Sequence, residues 1–279
     1  INMSDFESEI RKLLYNIEVK KNDFIFLVSD ITKLMFFFKK KKLTFDISLF
    51  LEIILDTIGE KGTLVLPTYN WDFCRGINFD YKSTQSVTGA LGKVALKRDD
   101  FIRTTNPIYS FAVAGKEKNT LYNLKHSSCF GEDSPFFYFH KNNVKYLSIG
   151  VDYKFLGFTP VHYVEEKVGV SYRYFKNFKE KYIDKNGKQK DVTYKFFVKD
   201  LSKISMTGIK AATDDQLISI GAMKKYFFCE ENFVAIYLRP ALDYLIQDTK
   251  KNIEKNRLIF PIKNDKITRT KINELNVYQ

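Results

Sequence analysis

In the opening segment Phe6, Ile10, Leu13, Leu14 and Ile17 recur at helical spacing, which predicts an amphipathic helix over 6–17. Asn22-Asp23 then introduces the apolar run 24–28, short and continuous as in a buried strand. The run ends at the polar pair Ser29-Asp30, suited to a ligand-facing turn or a helix cap. A second helical pattern covers 45–58, with Ile47, Leu51, Ile54 and Ile58 on one face, and Gly59 and Gly62 stop it before a strand over 63–66 closed by Pro67. The alternation continues with a helix from Thr88-Gly89 through Leu96, strands over 110–114 and 144–149, and a helix opening after Pro160. Strands alternating with helices in this way argue for a layered α/β domain around a largely buried sheet.

Beyond residue 170 the pattern turns β-rich. Runs over 181–184 and 192–198 flank Lys185-Asn186-Gly187-Lys188, and Asn-Gly between two strand-like runs predicts a hairpin. A helix over 213–223, a strand over 233–238 and a helix over 242–251 follow. The expected organisation is one domain over 1–262 and a polar, charged tail over 263–279.

Composition removes several classes. With 44% hydrophobic and 28% charged residues the chain is neither wholly disordered nor a membrane protein, and its longest apolar runs fall far short of a span. Asp5, Glu7 and Glu9 break any leader-like order near the start, so a cytoplasmic address is expected. Cys74, Cys129 and Cys229 lie far apart and read as buried, reduced thiols; no metal-ligand spacing occurs and no metal is expected. The net charge of +12 favours anionic ligands, but no nucleic-acid-binding motif accompanies it. Neither nucleic acid nor membrane is an expected partner, and a homo-oligomer is left open.

Three segments can carry chemistry. His162 and Glu165 lie three apart in Thr159-Pro160-Val161-His162-Tyr163-Val164-Glu165, which puts both on one helical face. A carboxylate beside an imidazole fixes its tautomer and raises its basicity, as a base that deprotonates an amine requires. The same spacing also describes an ordinary surface pair. Segments 103–115 and 128–135 are rich in small and turn-prone residues and can place backbone N–H groups around an anion.

Their order in one chain is more informative than any single piece. Gly62-Thr63-Leu64-Val65-Leu66-Pro67-Thr68, Thr88-Gly89-Ala90-Leu91-Gly92, Arg103 through Gly115, Gly131 to Pro135, Thr159 to Glu165, then Tyr172-Arg173, resembles the aminoglycoside 3-N-acetyltransferase family. The resemblance implies an α/β sandwich distinct from the GNAT acetyltransferases, with acetyl-CoA or another acyl-CoA and an acceptor amine sharing one cleft. It puts the general base on His162 and its carboxylate on Glu165, and cofactor contacts on Ser29, Asp30, Ile31, Thr88, Gly89 and Ser110. Arg173 closes the resemblance and is a substrate candidate. Thr68, Tyr69, Asn70, Trp71 and Asp72, after the second strand, are further acceptor-side candidates, with Trp71 available to stack on a sugar or base.

Asn106-Pro107 stands where the resistance enzymes usually have His-Pro, which makes Asn106 a specificity candidate. With segments 128–135 and 162–166, it resembles the branch associated with surface-polysaccharide genes, whose members acylate nucleotide-linked amino sugars. Charge agrees: 45 basic against 33 acidic residues suit anionic nucleotide sugars better than polycationic aminoglycosides. The expected activity is therefore acyl-CoA-dependent N-acylation of a nucleotide-linked amino sugar. Aminoglycoside N-acetylation is the alternative, and a catalytically silent anion-binding protein is a third reading.

Overall fold

The structure is a computed structural model and describes residues 3–229, 231–252 and 256–263. The first half contains α1 (Met3–Asn16), β1 (Phe24–Ser29), α2 (Thr32–Lys40), α3 (Ile47–Ile58), β2 (Thr63–Pro67), β3 (Phe79–Asp80), α4 (Ala90–Ala95), β4 (Ile102–Arg103) and β5 (Phe111–Gly115), which are the expected helices and strands with α2, β3 and β4 added. Then come α5 (Lys118–Asn123), α6 (Pro135–Lys141), β6 (Lys145–Ile149), a π-helical turn (Tyr153–Gly157) and α7 (Pro160–Val168). The later part contributes β7 (Arg173–Ile183), β8 (Gln189–Lys199), β9 (Met206–Ile209), α8 (Thr213–Ser219), β10 (Met223–Phe228), β11 (Glu231–Tyr237), α9 (Leu238–Lys251) and β12 (Ile259–Ile262). Most of the segment expected to be a tail lies outside the described residues.

Local chemistry sets several boundaries. Asp46 caps α3 by accepting the Leu49 N–H at 3.0 Å. Ser134 likewise caps α6, with Pro135 in the first turn, so part of segment 128–135 opens a helix. The helix expected over 213–223 stops at Ser219, because Met223 onward is claimed by antiparallel pairing with β11, from Met223↔Ile236 to Phe228↔Glu231.

Seven strands form the main sheet in the order β10-β11-β6-β1-β2-β5-β4. The three central strands are parallel and the flanking pairs antiparallel. Alternation along β1 and β2 divides the core: Ile25, Leu27, Leu64 and Leu66 face the helices α1–α4, whereas Phe26 and Val65 face an aromatic layer with α6, α7 and α9. Each such fully buried side chain contributes about 1.5–3 kcal/mol relative to exposure. The β7–β8 hairpin, joined in parallel to β3, packs Phe178, Tyr182 and Phe196 into that aromatic layer. This is the layered α/β sandwich with a β-rich later portion that the sequence predicts.

Candidate active site

Because β1, β2 and β6 run parallel, Ser29, Pro67 and Ile149 end at one edge of the sheet. In open α/β sheets ligands bind outside the carboxyl ends of such strands. A cleft of about 450 Å³, its open mouth included, lies there. Ser29, Pro67, Tyr69, Thr88, Gly89 and Thr159 are among its walls. The Thr88 hydroxyl binds the Pro67 carbonyl at 3.1 Å and accepts the Tyr69 N–H at 3.0 Å, fastening the Thr-Gly loop to the end of β2. Gly89 has φ +59, a left-handed conformation that favours glycine, and a Cβ there would stand 3.8 Å from the Ser29 carbonyl oxygen. At Gly92 a Cβ would lie 2.5 Å from the Pro67 carbonyl oxygen, so only glycine lets α4 approach β2 this closely.

Behind Thr159, one helical turn along α7, stands His162. It is not itself among the cleft-lining residues and keeps 6% exposure, its ring against Phe130 at 5.4 Å. Its Nδ1 is 2.7 Å from Glu165 Oε2. Nε2 has no partner among the described residues and is not among the polar atoms sealed from solvent. Glu165, fully buried, is held from three sides. His162 and the Arg173 Nε (2.8 Å) share Oε2, and the Thr207 hydroxyl donates to Oε1 at 2.8 Å.

Burial first, and then the Arg173 cation, lower the His162 pKa to about 4 against the opposing pull of Glu165. Burial alone pushes the Glu165 carboxyl up, but Arg173, His162 and Thr207 together hold it down to about 2. At neutral pH the ring is thus uncharged and the carboxylate ionised, so that Nδ1, which faces Glu165, is suited to carry the proton and Nε2 to accept one. Burial beside Arg173 also lowers Lys199 to about 7.

These directions have a consequence for stability. An unfolded histidine takes up a proton below its ordinary value near 6.5, whereas folded His162 resists until about 4, so acid favours the unfolded chain across that window. Glu165 extends the loss from about 4.5 down to about 2. The His162 share is on the order of 3 kcal/mol at most. Melting temperatures of His162→Ala are therefore expected to fall less steeply than those of the wild type between pH 6.5 and 4. Parallel slopes contradict a neutral buried imidazole.

Of the sequence candidates, Ser29, Tyr69, Thr88 and Gly89 meet in the cleft, and His162 and Glu165 pair with each other on α7 without lining it. Others have different work. Trp71 is 2% exposed and packs edge-on to Tyr69 and Tyr109, so it is a core aromatic with no face open to a sugar. Thr68 and Ser110 are buried, their hydroxyls 3.0 Å apart, and Arg103 donates to Ser110 at 3.0 Å; neither lines the cleft. Asn106 is buried and accepts the N–H groups of Ile108 and Tyr109 at 2.8 Å each, so it builds a turn. Asn70 similarly accepts the Asp72 N–H at 2.7 Å, and half-exposed Asp72 pairs with Arg75 at 3.2 Å. Asp30 and Ile31 follow Ser29 but do not line the cleft; Asp30 accepts the Thr32 N–H at 2.9 Å and Ile31 is buried. Arg173, a substrate candidate in the sequence, has a fully buried side chain turned onto Glu165.

Sequence reasoning missed Thr207, 42 residues from Glu165 with no motif to signal it. It also missed Glu166, which takes the Ser128 hydroxyl at 2.7 and 2.9 Å and ties segment 128–135 to α7. The sequence signal for that tie was only that both segments belonged to one ordered set of motifs.

The sequence profile of the family described as aminoglycoside 3-N-acetyltransferase matches residues 47–248. No curated protein sequence matches significantly. Among solved structures, AAC-IIIb in a binary complex with CoASH superposes with a TM-score of 0.71 at 14% identity, covering 88% of this chain and 96% of that one. Sisomicin-bound AAC-VIa gives 0.71 at 15% identity, covering 88% and 97%. The YokD protein from Bacillus subtilis gives 0.67 at 19% identity, covering 88% and 95%. At these identities the structural likenesses establish the shared fold.

Proposed function

The chain belongs to the aminoglycoside 3-N-acetyltransferase family, and from that premise we propose that it transfers an acyl group from acyl-CoA to the amine of a nucleotide-linked amino sugar. The observation that carries the reading is the His162–Glu165 pair at 2.7 Å, one turn behind the cleft-lining Thr159. Acyl-CoA supplies the acyl group as an activated thioester. Ser29, Thr88 and Gly89, which line the cleft at the end of the parallel strands, would hold it. As the amine nitrogen bonds to the thioester carbonyl, His162 Nε2 accepts the proton it loses, while Glu165 keeps the other proton on Nδ1 and stabilises the imidazolium. The C–S bond then breaks to release the CoA thiolate, which takes up the proton held on Nε2 as the free thiol.

A base near pKa 4 is always ready to accept, but it is weak. The ionised Glu165 already limits the fall in basicity, and it pairs with the ring as it gains charge. The acceptor amine would enter as its neutral form or lose a first proton to solvent.

Substrate class rests on charge. The excess of 45 basic over 33 acidic residues favours anionic acceptors. A second reading, N-acetylation of an aminoglycoside, draws on the family description and on the structural relative bound to sisomicin. Thiol release from acetyl-CoA, measured side by side with dTDP- or UDP-linked amino sugars and with kanamycin-type amines, separates them. The proposal expects turnover with the nucleotide sugars at least tenfold above that with the polycations. The reverse order favours the second reading, and no release with any amine across several acyl-CoAs refutes both.

A further inference from the structure

Arg173, from the start of β7, makes contacts that leave little of its guanidinium for a ligand. Nε reaches Glu165 Oε2 at 2.8 Å, Nη1 donates to the Phe197 carbonyl at 3.1 Å and Nη2 to the Thr207 hydroxyl at 3.0 Å. Thr207, from β9, accepts that bond, and its own hydroxyl donates to Glu165 Oε1 at 2.8 Å. One hydroxyl therefore closes a ring of contacts around a carboxylate that has no access to water.

The geometry matters for the imidazole. Nη2 also lies 3.1 Å from His162 Nδ1, and an N–H cannot donate to an atom that already carries a proton. Two arrangements compete. In one, Nδ1–H donates to Glu165 and Nε2 is the free base. In the other, Arg173 donates to Nδ1 and the proton moves to Nε2, where it blocks catalysis. Thr207 bears on the choice through the carboxylate: its bond to Oε1 holds Oε2 toward the ring, where Nδ1–H can donate, whereas its bond to Nη2 uses only one of the two N–H groups there.

We propose that Thr207 is a positioning residue that, through Glu165 and Arg173, selects the Nδ1–H tautomer of His162. The inference rests on the reading of His162 as base only for its effect on rate; the tautomer itself is a property of the free enzyme. Valine at 207 keeps the shape but removes both the donor and the acceptor, whereas serine keeps them.

The test uses nitrogen chemical shifts of the imidazoles in the free protein, together with steady-state kinetics. The chain has three histidines, and His162→Asn identifies the relevant signals. The wild type and Thr207→Ser are expected to hold the Nδ1–H form, and Thr207→Val to show a mixture or the Nε2–H form. Thr207→Val should lose roughly ten- to a hundredfold in kcat with little change in KM for acyl-CoA, the usual scale for losing an orienting partner. Thr207→Ala serves if the valine variant fails to fold. Wild-type tautomer in a folded Thr207→Val or Thr207→Ala protein overturns the proposal, whatever its rate. A changed tautomer upholds it even if His162→Ala proves fully active, an outcome that would refute only the reading of the base.

Discussion

His162→Ala is expected to lower kcat by roughly two to four orders of magnitude while leaving the protein folded. The fold should survive because the Arg173 and Thr207 contacts to Glu165 do not pass through the ring, so the carboxylate remains paired after truncation. The chemistry should not, because Nε2 is the proton acceptor assigned to the amine and neither of the other two histidines lines the cleft. His126 bonds to Ser128, and His140 to Tyr163 and Asp243. Single-turnover rates with saturating acyl-CoA, beside circular dichroism, check this. A folded variant with an unchanged rate removes His162 from the mechanism.

The second large effect concerns stability. Arg173→Met should destabilise the fold by about 3–5 kcal/mol, because it leaves a fully buried carboxylate without its cation. The Glu165 carboxyl, now subject mainly to desolvation, should then titrate far above its present position. Adding Glu165→Gln should restore much of the loss, since an uncharged amide at that site costs less than an unpaired carboxylate. Denaturant midpoints of the two single variants and the double variant measure the coupling. A loss below about 1 kcal/mol for Arg173→Met would show that the pair is relaxed or hydrated.

How legible this was in the sequence depended on the range of the interaction. The three-residue spacing of His162 and Glu165 is local, and the observed pair at 2.7 Å follows from helix geometry. Asn186-Gly187 similarly marks the turn of the hairpin, whose register runs from Ile183↔Gln189 to Arg173↔Lys199 and is much longer than the runs that flank the turn suggest. Strands β9 and β12 escaped notice because each is four residues long and makes sense only against the other, with Met206 opposite Ile262. The region 69–72 looked like a substrate loop because it is polar, aromatic and follows a strand. Tyr69 does reach the cleft, but Trp71 fills the aromatic layer and Asn70 and Asp72 hold a 3₁₀ turn, which packing decides and local pattern does not.

Arg173 shows the same limit from the other side. A buried arginine beside a catalytic motif reads in sequence as a ligand for an anion, yet its partner is the carboxylate eight residues earlier. Thr207 carries no signal of its own, being an ordinary threonine in a short strand that tertiary contact alone brings to Glu165.

Rescue of His162→Ala by added imidazole asks most directly whether a ring nitrogen at this position takes the proton. The account predicts a rate that rises with imidazole concentration, saturates, and tracks the neutral form of the added base. A folded variant that stays inactive at every imidazole concentration, while still binding acyl-CoA and acceptor, would contradict it.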